Sequence, residues 1–201
     1  MQVRGTNDLS RSDIYRCGEA EFHEEDKMIN SSKDSSDIKR QSRIAQSVKD
    51  LLLESGNCAQ TCFAILCEEH NLEGSQILKA LTPFPGIALR GETCGAVTGA
   101  LMALGLVYGR EDLTDRKGYL GSLPSARRFC AQFETENGST ACGAILQEKT
   151  GRSFNLADRV ESLEYVQSGG PQVCAGIVAS AVEMASEGIK RKRKTAIIVV
   201  E

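Results

Sequence analysis

The chain has no tryptophan, and its 6 phenylalanines and 4 tyrosines make up only 5% of 201 residues. Bases of single-stranded nucleic acid stack on such rings, so an aromatic-lined binding platform is excluded. Basic residues are not in excess either. Lys and Arg number 24 against 27 Asp and Glu, for a net charge of −3, the wrong balance for a polyanion binder. Nucleic acid is therefore not an expected partner. No uncharged apolar run reaches the roughly 18 residues of a membrane span, so membrane insertion is not expected. The first residues, MQVRGTNDLSRSDIYR, contain no apolar core of a secretion signal, and the expectation is a cytoplasmic protein. Histidine is scarce, with only His23 and His70, so a histidine-rich metal site cannot be built. Also missing are a Gly-rich phosphate loop after a strand, a Cys-x-x-Cys-His haem attachment and a serine nucleophile elbow.

Cysteine is what the chain has in plenty: 8 residues, at positions 17, 58, 62, 67, 94, 130, 142 and 174. Without an export signal, structural disulfides are a weaker reading than metal or redox chemistry. Any metal site in this composition is dominated by thiolates.

One stretch organises the rest, Gly91 to Gly105, GETCGAVTGALMALG. Thr93 is a candidate N-cap, and the residues from Cys94 to Tyr108 carry no charge. This predicts a buried helix with a thiol at its positive end. Gly95 and Gly99 lie four apart on one face, and glycine costs helix stability, so another backbone should pack closely there.

Around it the spacing predicts an all-α fold, a compact bundle of about six to seven helices. Residues 1–36 read as a polar, disordered arm in which Cys17 and His23 have no role. Residues 37–189 form the helical domain, and residues 190–201 a basic and apolar tail. Ile44, Val48, Leu51 and Leu52 mark a helix from Asp37 to Glu54, and Asn57 caps a second from Cys58 to His70. Gly74-Ser75 opens a short third helix, broken by Pro83 and Pro85. After the central helix comes an amphipathic segment with Tyr119, Leu123, Ala126, Cys130 and Phe133 inward, which begins near Ser122 or kinks at Pro124. Ser139-Thr140 caps a helix over 141–149, a helix lies around Leu156 to Val166, and Pro171 starts a last one through Glu187. The Lys190–Lys194 basic run suits a helix C-terminus, and Ile197–Val200 reads as an edge strand or a packing segment.

Four cysteines share a local context: Asn-Cys58-Ala, Thr-Cys94-Gly-Ala, Ala-Cys142-Gly-Ala and Val-Cys174-Ala-Gly. Each falls near the start of a predicted helix, where free amides and the macrodipole favour thiolate. Four such ends brought together would supply four soft ligands for an iron–sulfur cluster or zinc. Two of them paired would make a redox dithiol. Burial as small hydrophobes is the plainer alternative. It is the better reading for Cys67 and Cys130, and also for Cys62, although Cys62 lies one turn after Cys58 and could serve as a reserve ligand or resolving thiol. His70, beside Glu68 and Glu69, reads as a surface or capping residue.

The order of NCAQ at 57–60, Cys94-Gly95-Ala96-Val97-Thr98-Gly99, Gly138-Ser-Thr-Ala-Cys142 and Cys174 resembles the C_GCAxxG_C_C family of redox-active proteins. The resemblance spans about Ile38 to Ser186 and implies that Cys58, Cys94, Cys142 and Cys174 are the functional set. A more distant one is to the helical domain of split-Soret cytochrome c, dimeric with haem and an iron–sulfur centre. This chain lacks the haem motif, so covalent haem is not carried over. The resulting expectation is an electron-transfer component or oxidoreductase holding a [2Fe-2S] cluster on those cysteines, with a redox partner protein and a homodimer as its associations. A metal-free thiol–disulfide oxidoreductase or redox sensor, and a helical interaction module with buried or zinc-bound cysteines, stay open beside it.

Overall fold

Ile44, Val48 and Leu52 recur every fourth residue, and burying that stripe is what makes α1 (Ser35–Ser55) an integral helix and not a leader to the domain. It is the first element of a computed structural model that describes residues 35–198, with side chains described through residue 194. Cys17 and His23 lie outside the described residues. Residues 35 and 36, assigned from sequence to the arm, are already helical.

Gly56, at φ +63°, turns the chain into α2 (Cys58–His70). Asn57 caps α2: its Oδ1 accepts from the Gln60 amide at 3.0 Å, and its Nδ2 donates to the Thr82 carbonyl at 3.0 Å. One side chain thus satisfies a helix start and anchors the loop that follows α3 (Ser75–Ala80). The proline-broken segment contains an unexpected element, the turn α4 (Gly86–Leu89). Gly86, Ile87, Ala88 and Leu89 all have positive φ, between +48° and +64°. Three of these residues carry a Cβ, so this left-handed turn is strained and must be held by its surroundings.

α5 (Gly95–Tyr108) is the central helix, packed against α2, α9 and α6. Its closest neighbour is α2, and glycine is the reason. A side-chain carbon on Gly99 would collide with the Ala59 carbonyl and approach Cys62 Cβ to 3.0 Å. The close backbone approach expected from Gly95 and Gly99 is present, and its partner is α2. The cap is different from the expectation. Thr93 forms a bridge with Ala141, which keeps the backbone extended one residue further, so Cys94 and not Thr93 is the N-cap of α5.

α6 (Arg116–Asn137) begins at an Asp115 cap and runs through Pro124 as one helix, earlier than expected. Its inward residues are Phe129, Phe133 and Asn137, whereas Tyr119 is 46% exposed and lies under the Arg110 guanidinium. Pro124 removes the amide that would bond Leu120. Both residues are exposed, so that carbonyl stays open to water. α7 (Cys142–Thr150) has Ala141 at its cap, so neither Ser139 nor Thr140 caps it; Ser139 Oγ instead accepts from the Ala141 amide at 3.0 Å. α8 (Arg159–Gln167) is capped by Asp158.

α9 (Gly170–Ile198) spans the bundle against α1, α2, α5 and α6. It does not stop near Glu187: the basic run lies within the helix, as do Ile197 and Ile198, so the sequence-based tail boundary falls inside an element. Arg193 reaches across to the His70 carbonyl, an attachment that ties this extension to α2. His70 is likewise not on the surface. It is 4% exposed, and its Nε2 shares a hydrogen bond of 2.9 Å with Ser186 Oγ. Among the described residues there are nine helices and no strand, an all-α fold as expected, with short segments such as α4 accounting for the larger count.

Candidate functional site

Two helix starts are tied together by backbone before any side chain is considered. The Cys94 amide donates to the Thr140 carbonyl at 2.8 Å, the Cys142 amide to the Glu92 carbonyl at 2.6 Å, and the Gly143 amide to the Gly91 carbonyl at 2.9 Å. This short antiparallel pairing sets the start of α7 beside that of α5. Small residues permit it: Gly91, at φ +75°, faces the Gly143 backbone, with room for little more than a methyl between them. The α2–α5 packing then brings Cys58 to the same place, since Gly95 of α5 lies directly against the Cys58 sulfur. α9 contributes Cys174 from its second turn, because Gly169, at φ +81°, folds α8 back onto α9.

The four thiols consequently form one group. Cys58, Cys94, Cys142 and Cys174 are close enough that all six pairs interact electrostatically. Cys62, fully buried one turn along α2, interacts with Cys58 and Cys94 at the group's edge. Cys67 and Cys130 stand apart, each half-buried beside a glutamate, Glu73 and Glu134 respectively.

Burial and mutual repulsion control the protonation of the group. Desolvation first, then the charge of Cys174, pushes Cys58 up to about 12 and Cys142 up to about 11. Burial and the other three thiols hold Cys94 well above the ordinary thiol range, and burial raises Cys174. At all four sulfurs burial favours the protonated form over the thiolate, and the neighbouring thiols add to this at Cys58, Cys94 and Cys142. Donors that would favour sulfur anions are nevertheless in place. The Gly95 amide favours the thiolate of Cys58, the Ala96 amide that of Cys94, and the Tyr165 hydroxyl that of Cys174. Cys94 makes no capping hydrogen bond of standard geometry, so the Ala96 contribution is the weaker kind expected of an amide directed at a large, soft acceptor.

Tyr165 is the member that sequence reasoning missed. It lies nine positions before Cys174, outside any cysteine context, and only the Gly169-Gly170 turn that folds α8 back hints at it. Gly86 was missed as well; a side-chain carbon there would come within 3.5 Å of Cys142 Sγ, so the left-handed turn α4 covers this sulfur closely. Two grooves among the described residues, about 380 and 320 Å³, are lined by α6 and α9 residues such as Glu136 and Ser180 and by residues such as Asn57 and Pro85, with no cysteine in either.

Residues 56–188 match the model of the family described as "Putative redox-active protein (C_GCAxxG_C_C)". The chain belongs to the C_GCAxxG_C_C family. The matched segment opens two residues before Cys58 and closes fourteen after Cys174, so it contains all four thiols, Tyr165 and the turn α4. Neither a curated protein nor a solved structure gives a match, and the likeness to split-Soret cytochrome c gains no support from these comparisons.

The fit of this C_GCAxxG_C_C site to a metal follows from its donors. Four sulfurs with amide and hydroxyl donors around them, and no carboxylate or imidazole among them, are chemically suited to thiophilic iron or zinc. Among the described residues, however, no three His, Cys, Asp or Glu side chains converge so as to hold a single metal ion as they stand. A tetrahedral zinc would need its sulfurs drawn to about 3.8 Å from one another, given Zn–S bonds of about 2.3 Å. A cluster with more than one iron is held by a wider cage of sulfurs.

Proposed function

We propose that this redox-active family member is an electron-transfer component in which Cys58, Cys94, Cys142 and Cys174 ligate an iron–sulfur cluster, taken here as a two-iron one, four thiolates being a complete ligand set for it. The observation that carries the reading is the gathering of four thiols, from four different helices, in one largely buried group where desolvation and mutual repulsion disfavour thiolate and a cation would offset both. Such a cluster would supply reversible one-electron chemistry. The chain's own part is to hold the four sulfurs, to exclude water by burial, and to offset sulfur charge with the Gly95 and Ala96 amides at the start of α5.

The test is optical. Protein purified without oxygen should absorb in the visible, bleach on addition of dithionite and recover on reoxidation. A colourless protein after anaerobic iron and sulfide reconstitution contradicts the proposal.

One observation favours a second reading, a metal-free dithiol. Gly95 touches Cys58 and follows Cys94, and Cys58 is the thiol that acts most strongly on Cys94, so those two are the candidates for a pair. Raised thiol pKa values count against it, because exchange proceeds through thiolate. Its mark would be a reversible Cys58–Cys94 disulfide in protein free of metal. The third, a structural module with zinc-bound cysteines, requires the sulfurs to contract around one ion.

A further inference from the structure

α9 changes its surroundings along its length. From Gly176 to Glu187 its open side is a single stripe, Gly176, Ser180, Glu183 and Glu187, at helical spacing. With Ala179, Met184 and Glu136 of α6, these residues line the groove of about 380 Å³. Its lining includes three carboxylates and no basic side chain. Two of the carboxylates are oriented by neutral donors: Ser180 Oγ donates to Glu136 at 2.7 Å, and Gln41 Nε2 of α1 to Glu183 at 3.1 Å. Gly176 leaves the groove open, with nothing near the place of a side-chain carbon. The same stripe continues as Arg191 and Lys194, four and seven positions after Glu187. All five residues from Lys190 to Lys194 are exposed, so this basic turn projects from the bundle. Lys192 over the Tyr108 ring and Arg193 on the His70 carbonyl hold it in place.

From this pattern we infer that a second copy of the chain docks along α9, antiparallel and about a two-fold axis, the basic end of each copy seated in the acidic groove of the other. The charges decide the direction. A parallel pairing would set carboxylate against carboxylate, whereas the antiparallel one opposes Glu183 and Glu187 to Arg191 and Lys194. Two-fold symmetry makes every such pair occur twice. Exposed ion pairs are individually weak, so the shape matters as much as the charge. A projecting turn meets a concave groove, reciprocally, and the groove walls shield part of each pair from water. The dimer does not depend on cluster ligation, since Lys190 lies sixteen residues beyond Cys174, about 24 Å along α9.

Sedimentation of the full chain over a dilution series is the test. At low salt wild type should approach twice the 21.7 kDa of one chain. Its dissociation constant should rise about tenfold between about 50 and about 500 mM NaCl, as screening shortens the reach of the charges. Glu183→Lys with Glu187→Lys, and separately Arg191→Glu with Lys194→Glu, should each be monomeric at low salt. An equimolar mixture of the two double variants should dimerise again, as heterodimers. Circular dichroism and thermal unfolding check that each variant folds. Should a double variant not fold, Lys194→Glu alone takes its place and should weaken the wild-type dimer about tenfold. A wild type that stays monomeric at low salt overturns the inference. So does a dimer that neither salt nor the variants weaken, or a mixture of folded double variants that stays monomeric.

Discussion

Gly95 of α5 lies against the sulfur of Cys58 on α2, with the Ala59 amide 2.8 Å from where a side-chain carbon would stand. Nothing larger than hydrogen fits there, so this glycine sets both the helix packing and the sulfur site. Gly95→Ala should destabilise the protein by about 1–3 kcal/mol, as over-packing does. It should also displace Cys58 and lower the iron held per chain. Urea denaturation combined with iron analysis checks both effects.

The cysteines should separate into two classes by substitution with serine. Replacing Cys58, Cys94, Cys142 or Cys174 should abolish visible absorption, whereas Cys130→Ser, on α6 beside Glu134, should leave it unchanged. Cys62 is the informative intermediate. It is fully buried, so a hydroxyl there costs about 1–3 kcal/mol if unpaired, yet the colour should persist. Loss of colour in Cys62→Ser with normal stability would move Cys62 into the ligand set.

Metal-free protein should lose stability on the alkaline side. The unfolded chain's thiols ionise near pH 8.5, whereas Cys58 and Cys142 in the fold are pushed up to about 12 and about 11. Between these values the unfolded state binds fewer protons, so stability is intact below about pH 8.5 and falls as pH rises towards 11. The slope is about 1.4 kcal/mol per pH unit for each thiol. Ligated thiols are already deprotonated, so the loaded protein should show no such fall. Urea midpoints at pH 7, 9 and 10 for both forms make the comparison.

Asn57→Ala should cost about 1–2 kcal/mol, since it removes the α2 cap and leaves the Thr82 carbonyl without its donor. Asn57→Asp keeps the cap but not the donor and should recover part of the loss, as thermal unfolding would report.

Much of this site was legible in the sequence because its causes are local. The Asn57-Cys58 cap, the Gly95/Gly99 face and the repeated small-residue contexts each announce a helix start that can be approached closely. The failures have a common origin in contacts between distant segments. The cap of α5 shifted from Thr93 to Cys94 because of a bridge to Ala141, which no local propensity encodes. His70 appeared polar and terminal, yet Ser186 and Arg193, more than a hundred residues on, bury it. Tyr165 has no motif; its part in the site depends on the turn at Gly169 and on Phe154. The length of α9 was cut short because five successive basic residues read as a tail, although in the helix they are exposed or tied across to α2.

The central claim is that one buried group of four thiols holds a cluster. Iron and acid-labile sulfide per chain, measured on anaerobically prepared wild type and on Cys94→Ser, test it most directly. The account predicts about two iron and two sulfide in wild type and neither in the variant. Wild-type protein with no iron or sulfide after reconstitution, and four thiols that titrate freely once it is unfolded, would contradict it.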